Sequence, residues 1–245
     1  KYDINDPELQ NNEWVEEIKK ELPDDFYEKR KIGENDSLIC KLIQKDSIDD
    51  FIIYVNQSLI SLDSTIQPSN YETNNFLIKN KNITLIEYSA FFDSIQIFKY
   101  LMINNVELAP SLWLYAIHGH STEIISLLED KNILSKDSSF IECFKESIKC
   151  HHIDIATYIY QNFSLEQKIK KGIFGTIDSI IFHYRNYFFF PDQIEQKSIF
   201  FYACKYDYLV IVKYFLNNKK IDINETTVEN YDEIIIINKF LYHTN

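Results

Sequence analysis

The chain repeats itself. Residues 84–98, 111–125, 142–156 and 198–212 can be laid on one another without a gap. One shared column, Ser89, Ala116, Ser147 and Ala203, holds only small side chains, and eight positions later stand Ile97, Ile124, Ile155 and Ile211. The small residues follow one another at intervals of 27, 31 and 56 residues, the last being two steps of about 28. Self-similarity with a period near 30 is the mark of stacked supersecondary units, each too small to bury its own apolar face.

The columns describe a pair of short helices. Thr84, Ser111 and Ser198 lie five residues before the small column, where a hydroxyl can accept from the first unpaired N–H groups of a helix. A small residue in mid-helix lets the neighbouring unit approach closely. In a second helix the pairs Ile97-Phe98, Ile124-Ile125, Ile155-Ala156 and Ile211-Val212 are followed by Leu101, Leu128, Ile159 and Phe215, an apolar stripe at helical spacing. The expected fold is all-α, a stack of about five to six helix–turn–helix units.

This pattern resembles the ankyrin repeat, whose consensus runs Thr-Pro-Leu-His-x-Ala-Ala-x-x-Gly-His-x-Glu-Ile-Val-x-x-Leu-Leu. Thr84 falls on the Thr, Ile86 on the Leu, Ser89-Ala90 on the Ala pair, and Ile97-Phe98 with Leu101-Met102 on the second helix; Asp222-Ile223-Asn224 is similar to the motif that closes a unit. The chain departs from the consensus elsewhere. Leu85, Leu112, Cys143 and Ile199 replace the Pro, and the Gly column reads Asp93, His120, His151 and Asp207. The likeness is to divergent, protozoan-type members that carry an N-terminal segment of unassigned function. The resemblance implies an ankyrin-type solenoid and a protein-binding scaffold.

Clear repeats are expected at about 84–106, 111–134, 142–163 and 198–224, all within an array over 37–245, with an N-terminal helical cap over 1–36. The segment 38–56 reads as a degenerate first repeat, with Ile43 in the small column and Phe51 in the Ile column. A second worn repeat is expected at about 168–190, near Gly175, although its columns do not align. Asp6-Pro7 starts a helix carried by Trp14, Ile18 and Leu22 and stopped by Pro23. Residues 24–36 read as loop or ragged helix, and a further helix is expected from Glu72 to Lys79. The chain starts at Lys1 rather than Met and stops after residues 231–245 without a polar cap, so it reads as a piece of a longer array.

Composition narrows the function classes. Apolar residues make up 45% and charged residues 25% of the 245, which is the balance of a folded chain rather than a disordered one. A net charge of −12, with Arg30 and Arg185 the only guanidinium groups, argues against a nucleic-acid partner. No run of 18 apolar residues exists, and no basic segment followed by an apolar stretch opens the chain, so neither a membrane nor a secretory route is expected. Cys40, Cys143, Cys150 and Cys204 are scattered and read as free thiols in a reducing, cytoplasmic compartment.

Candidate chemistry is sparse. Gly33, Gly119, Gly172 and Gly175 are the only glycines, and none form a phosphate-cradling loop. The tightest polar cluster is Cys150-His151-His152, with His118 and His120 one repeat earlier. Zinc can use such ligands, but no second close pair at metal-ligand spacing is present, so these are read as turn residues and neither metal nor cofactor is expected. A Cys150–His nucleophile would need a base held by a third group, which neighbours on a turn seldom provide.

In the ankyrin fold the two positions after the Ala pair face the concave surface. Here they are Phe91-Phe92, His118-Gly119, Lys149-Cys150 and Lys205-Tyr206. Phe91, Phe92, His118, Lys149, Lys205 and Tyr206 are therefore the candidate partner-binding residues, with the two phenylalanines as anchors unless the segment 56–83 covers them. The expectation is a non-catalytic, monomeric scaffold for a protein partner; the alternative is a regulatory or targeting array within a larger multidomain protein.

Overall fold

The computed structural model describes residues 22–163, 165, 181–186 and 196–217. Helix is the only regular structure among them apart from one isolated bridge, Thr65 to Thr84. The chain divides into two compact units, residues 1–107 and 108–245. The expected helix from Asp6 to Pro23, the worn repeat near Gly175 and the segment 231–245 lie outside the described residues, wholly or in large part.

In the first unit α1 (Phe26–Ile32) precedes two helix pairs, α2 (Leu38–Gln44) with α3 (Ile48–Gln57), and α5 (Leu85–Phe91) with α6 (Ile95–Ile103); α4 (Asn75–Lys79) lies between them. Each pair packs internally, α2 packs on α5, and α3 on α6. Cys40, Ile43, Phe51, Leu85, Ile86, Ile97, Phe98 and Leu101 form the buried seam. Thr84 caps α5 with a reciprocal capping box: its hydroxyl accepts from the Glu87 amide while the Glu87 carboxylate accepts from the Thr84 amide at 2.9 Å.

The segment before α5 is tied down by α1. The Arg30 guanidinium donates to the carbonyls of Asn70 at 2.6 Å and Glu72 at 2.7 Å. Gly33 ends α1 at φ 79°, and a Cβ there would sit 2.3 Å from the Thr73 hydroxyl, so both backbone conformation and close approach call for glycine.

The second unit holds α7 (Leu112–His118), α8 (Thr122–Asp130), α9 (Ile141–Lys149), α10 (Ile153–Asn162), α11 (Gln196–Lys205) and α12 (Leu209–Asn217). They pair as α7 with α8, α9 with α10 and α11 with α12, and α7 packs on α9. Trp113 is fully buried, donates to the Ile133 carbonyl at 2.8 Å and meets Phe140 edge-on at 4.8 Å.

One turn links the helices of every pair. Asp46, Asp93, His120, His151 and Asp207 all have φ between 49° and 61°, the left-handed region where Asp, Asn and His are the tolerated non-glycine residues. This is the column where the ankyrin consensus has Gly. The amide after each turn residue closes a six-residue bond to the preceding helix, as from Ser94 to Ser89 at 2.9 Å and from Ser121 to Ala116 at 3.0 Å. Arg185, at φ 55°, makes the same turn, with Asn186 bonded to Ile181 at 2.9 Å. It marks a repeat that the sequence columns did not align.

Three details differ from the sequence expectations. Ser111 makes no side-chain cap bond because it is already helical, at φ −61° and ψ −27°. Ser198 lies inside α11, which starts two residues earlier. In the first pair the turn bond from Ser47 reaches Leu42, so Leu42, not Ile43, matches Ser89. α3 is ten residues long where α6 is nine, which brings Val55 back into line with Leu101.

Candidate functional site on the first helices of the pairs

Stacking is fixed by side chains that follow or occupy the turn. Ser94, 1% exposed, does not cap its own helix but donates to the Ile43 carbonyl of the preceding pair. Asp46, in that preceding pair, supplies the cap instead, accepting from the amides of Gln96 and Ile97 at 2.9 Å each. The second unit repeats the first of these links. Asn186 donates to the Ile148 carbonyl at 3.1 Å, and the Tyr208 hydroxyl to the Phe182 carbonyl at 2.6 Å. In all three cases the residue after the turn reaches the carbonyl three positions before the previous turn residue. Buried polar groups are thus satisfied only when neighbouring pairs are stacked in register.

The first helices also touch through a recurring contact. Gln44, two before its turn residue, donates to the Tyr88 hydroxyl at 2.9 Å. His118, at the equivalent position, meets Glu146 with Nε2 to Oε1 at 3.1 Å. Around Tyr88 the surface is aromatic: Phe92 lies 4.7 Å from Tyr88, Phe91 5.0 Å from Phe92, and Phe76 of α4 stacks over Phe91 at 6.1 Å. Phe91 and Phe92 are half-buried, in a ring cluster to which the 56–83 segment contributes Phe76.

In the second unit the equivalent surface is ionisable. Glu146 and Cys150 stand one helical turn apart at the end of α9 and share a face. The Cys150 sulfur lies 3.5 Å from Nδ1 and 3.9 Å from Nε2 of His118, and Lys149 donates to the other Glu146 oxygen at 2.8 Å. His118, Glu146 and Cys150 are all half-buried, with one donor atom from each inside a 4.8 Å span. Burial pushes the Glu146 carboxyl up, but the bonds from His118 and Lys149 outweigh it and hold the group below its usual range. Burial, reinforced by the Glu146 charge, pushes the Cys150 thiol up to about 12.

That geometry does not activate a nucleophile. Cys150 caps the C-terminus of α9, where the helix dipole opposes a thiolate, and its thiol stays protonated at neutral pH. His120 and His152 make contacts of their own: their rings stack at 4.1 Å, and His120 meets the Asp154 carboxylate at 2.9 Å. His151 is exposed on the turn. All four cysteines are free.

Lys205 and Tyr206 sit on α11 and at its end. The Lys205 ammonium lies within 5.9 Å of the rings of Phe201, Tyr202 and Tyr206, and Tyr206 faces His183 at 5.7 Å. Of the candidate residues, the structure brings Phe91 to Phe92, His118 and Lys149 to a shared Glu146, and Lys205 to Tyr206. Glu146 was missed in the sequence. Its signal was the four-residue spacing to Cys150 on a helix whose neighbour ends in His118.

No protein-family model, curated protein or solved structure matches the chain. Among the described residues no helix is long and apolar enough to cross a membrane.

Proposed function

We propose that this chain is a non-catalytic protein-binding scaffold, an ankyrin-type stack of helix pairs that takes a protein partner on the face formed by the first helix of each pair. The observation that carries this reading is the repeated link between pairs, in which Ser94, Asn186 and Tyr208 each donate to the equivalent carbonyl of the pair before. Within each unit it fixes neighbouring pairs in register and leaves variable residues on their first helices. In the first unit these are half-buried Phe91 and Phe92, and in the second half-buried His118 and Tyr206 with exposed Lys205, side chains of the kind that anchor interfaces.

The chemistry at hand favours binding over turnover. Cys150 has a His neighbour, but its thiol is held protonated. Both guanidinium groups are turned to the chain itself, Arg30 to two carbonyls and Arg185 over the Tyr208 ring at 5.5 Å, which disfavours a phosphate-backbone partner. Free, mostly buried thiols fit a reducing compartment.

The test is capture of a partner from source-cell lysate with the parent chain, then with Phe91→Ala/Phe92→Ala. Truncating aromatic anchors costs at least about 2 kcal/mol, so capture should weaken more than about tenfold. A double mutant that melts with the parent and binds equally well would remove these rings from the interface.

A further inference from the structure

We propose that His118, Glu146 and Cys150 form a binding site for a divalent transition-metal ion of the zinc class. Zinc sites of this kind take Cys, His and carboxylate ligands at about 2.0–2.3 Å in tetrahedral array. Those bond lengths put neighbouring ligand atoms about 3.4–3.6 Å apart. Nε2 of His118 is 3.1 Å from the Glu146 oxygen and 3.9 Å from the Cys150 sulfur. The remaining sulfur–oxygen separation is within 4.8 Å. A shift of a few tenths of an ångström sets the first edge; the sulfur, now 3.5 Å from Nδ1, reaches the Nε2 side and the carboxylate by rotation of the Cys150 side chain and the His118 ring.

The ligands come from two helix pairs that stacking has already aligned. Glu146 and Cys150 are four residues apart at the end of α9, the spacing that puts two ligands on one helix face. His118 is the last residue of the neighbouring α7. Counted from the turn, the equivalent positions are Tyr88 with Phe92 and Tyr202 with Tyr206 in two other pairs, Lys41 with Lys45 in the first and Tyr115 with Gly119 in α7. Only in α9 do these two positions hold a carboxylate and a thiol, and there they lie opposite an imidazole.

Charge also fits. On binding, the Cys150 thiol releases its proton to solvent, so thiolate and carboxylate together balance the dication, and His118 binds as the neutral imidazole. Lys149 holds Oε2 of Glu146, leaving Oε1 to turn to the ion. Three protein ligands leave a fourth position for water or for a side chain of a bound partner. This inference does not depend on the scaffold reading, since a metal site can occur with or without a protein partner.

The probe is Co²⁺ alone, titrated into the reduced, metal-free full chain. The expected result is one equivalent bound, with a thiolate-to-cobalt charge-transfer band and the intense visible bands of tetrahedral cobalt. Zn²⁺ should displace it. Cys150→Ser should abolish the charge-transfer band, and His118→Gln should weaken binding at least about tenfold. Gln is chosen because Gln44 makes the equivalent contact with Tyr88, so this variant keeps the link between pairs. His151→Asn, on the exposed turn, should bind as the parent does. Absence of the bands in the parent overturns the proposal. So does a band that survives Cys150→Ser, or one that is lost in His151→Asn, which would place the ion on the His120–His152 side instead.

Discussion

Asp46 offers the sharpest test of how the pairs are joined, because it carries two separable duties. It occupies the left-handed turn at φ 49°, and its carboxylate caps the helix of the next pair through two 2.9 Å bonds from Gln96 and Ile97. Losing a cap acceptor costs about 1 kcal/mol, and losing the negative charge at a helix N-terminus about 0.3–1 kcal/mol more. Alanine adds left-handed strain of about 1–2 kcal/mol. Asp46→Asn keeps an acceptor and tolerates the turn, so it should cost about 0.5 kcal/mol, the charge effect alone. Asp46→Gly loses the cap but relieves the turn, and its more flexible unfolded state leaves a net cost of about 1–1.5 kcal/mol. Asp46→Ala loses cap and charge and adds the strain, so it should cost about 2–4 kcal/mol. Urea denaturation of the four proteins, with helicity as the signal, gives the ranking. A cost for alanine below about 0.5 kcal/mol, or glycine worse than alanine, would refute the shared-cap geometry.

Other outcomes follow from the same seams. Ala116 is fully buried in α7, so Ala116→Leu should overpack the contact with α8 and α9 and cost about 1–3 kcal/mol; an unchanged melting curve would put it outside the seam. Burial raises the Cys143 thiol and pushes that of Cys204 up to about 12, so at pH 8 both should alkylate at least about tenfold more slowly in the native than in the urea-unfolded protein; equal rates contradict their burial. Asp137 accepts from the Phe140 and Glu142 amides and from two serine hydroxyls. Burial works to raise its carboxyl, but these bonds hold it below its ordinary range. A depressed folded-state value stabilises above the unfolded one, about 3.9, and fades as pH falls through the folded one. The stability gap between the parent and Asp137→Ala, about 1 kcal/mol at pH 7, should therefore narrow below about pH 4, and a gap that grows there contradicts the sign.

What the sequence revealed were features that recur at fixed spacing. The small column and the Ile column place the helices because stacking needs a close approach at one and an apolar contact at the other. Asp93, His120, His151 and Asp207 were aligned correctly without glycine to mark them, since a left-handed turn accepts short polar residues as well. Arg185 hid the same turn because arginine carries no such signature. The first pair was set one residue off: counted from the turn, Phe51 matches Phe98 rather than Ile97, and only the extra residue in α3 brings Val55 back to the place of Leu101. Ser111 looked like a cap by position alone, yet a hydroxyl caps only from an extended backbone. Glu146 was invisible for a different reason. Its meaning depends on His118, 28 residues earlier, and on the packing of α7 against α9.

The central claim is that partners meet the first helix of each pair, and site-specific photo-crosslinking tests it most directly. A photoreactive side chain placed singly at Phe92 or Lys205 should trap the captured partner in one discrete adduct. The same group at Ile103 or Val210, exposed at 74% and 82% on second helices, should trap little. Adducts from Ile103 and Val210, with none from Phe92 or Lys205, would contradict the account.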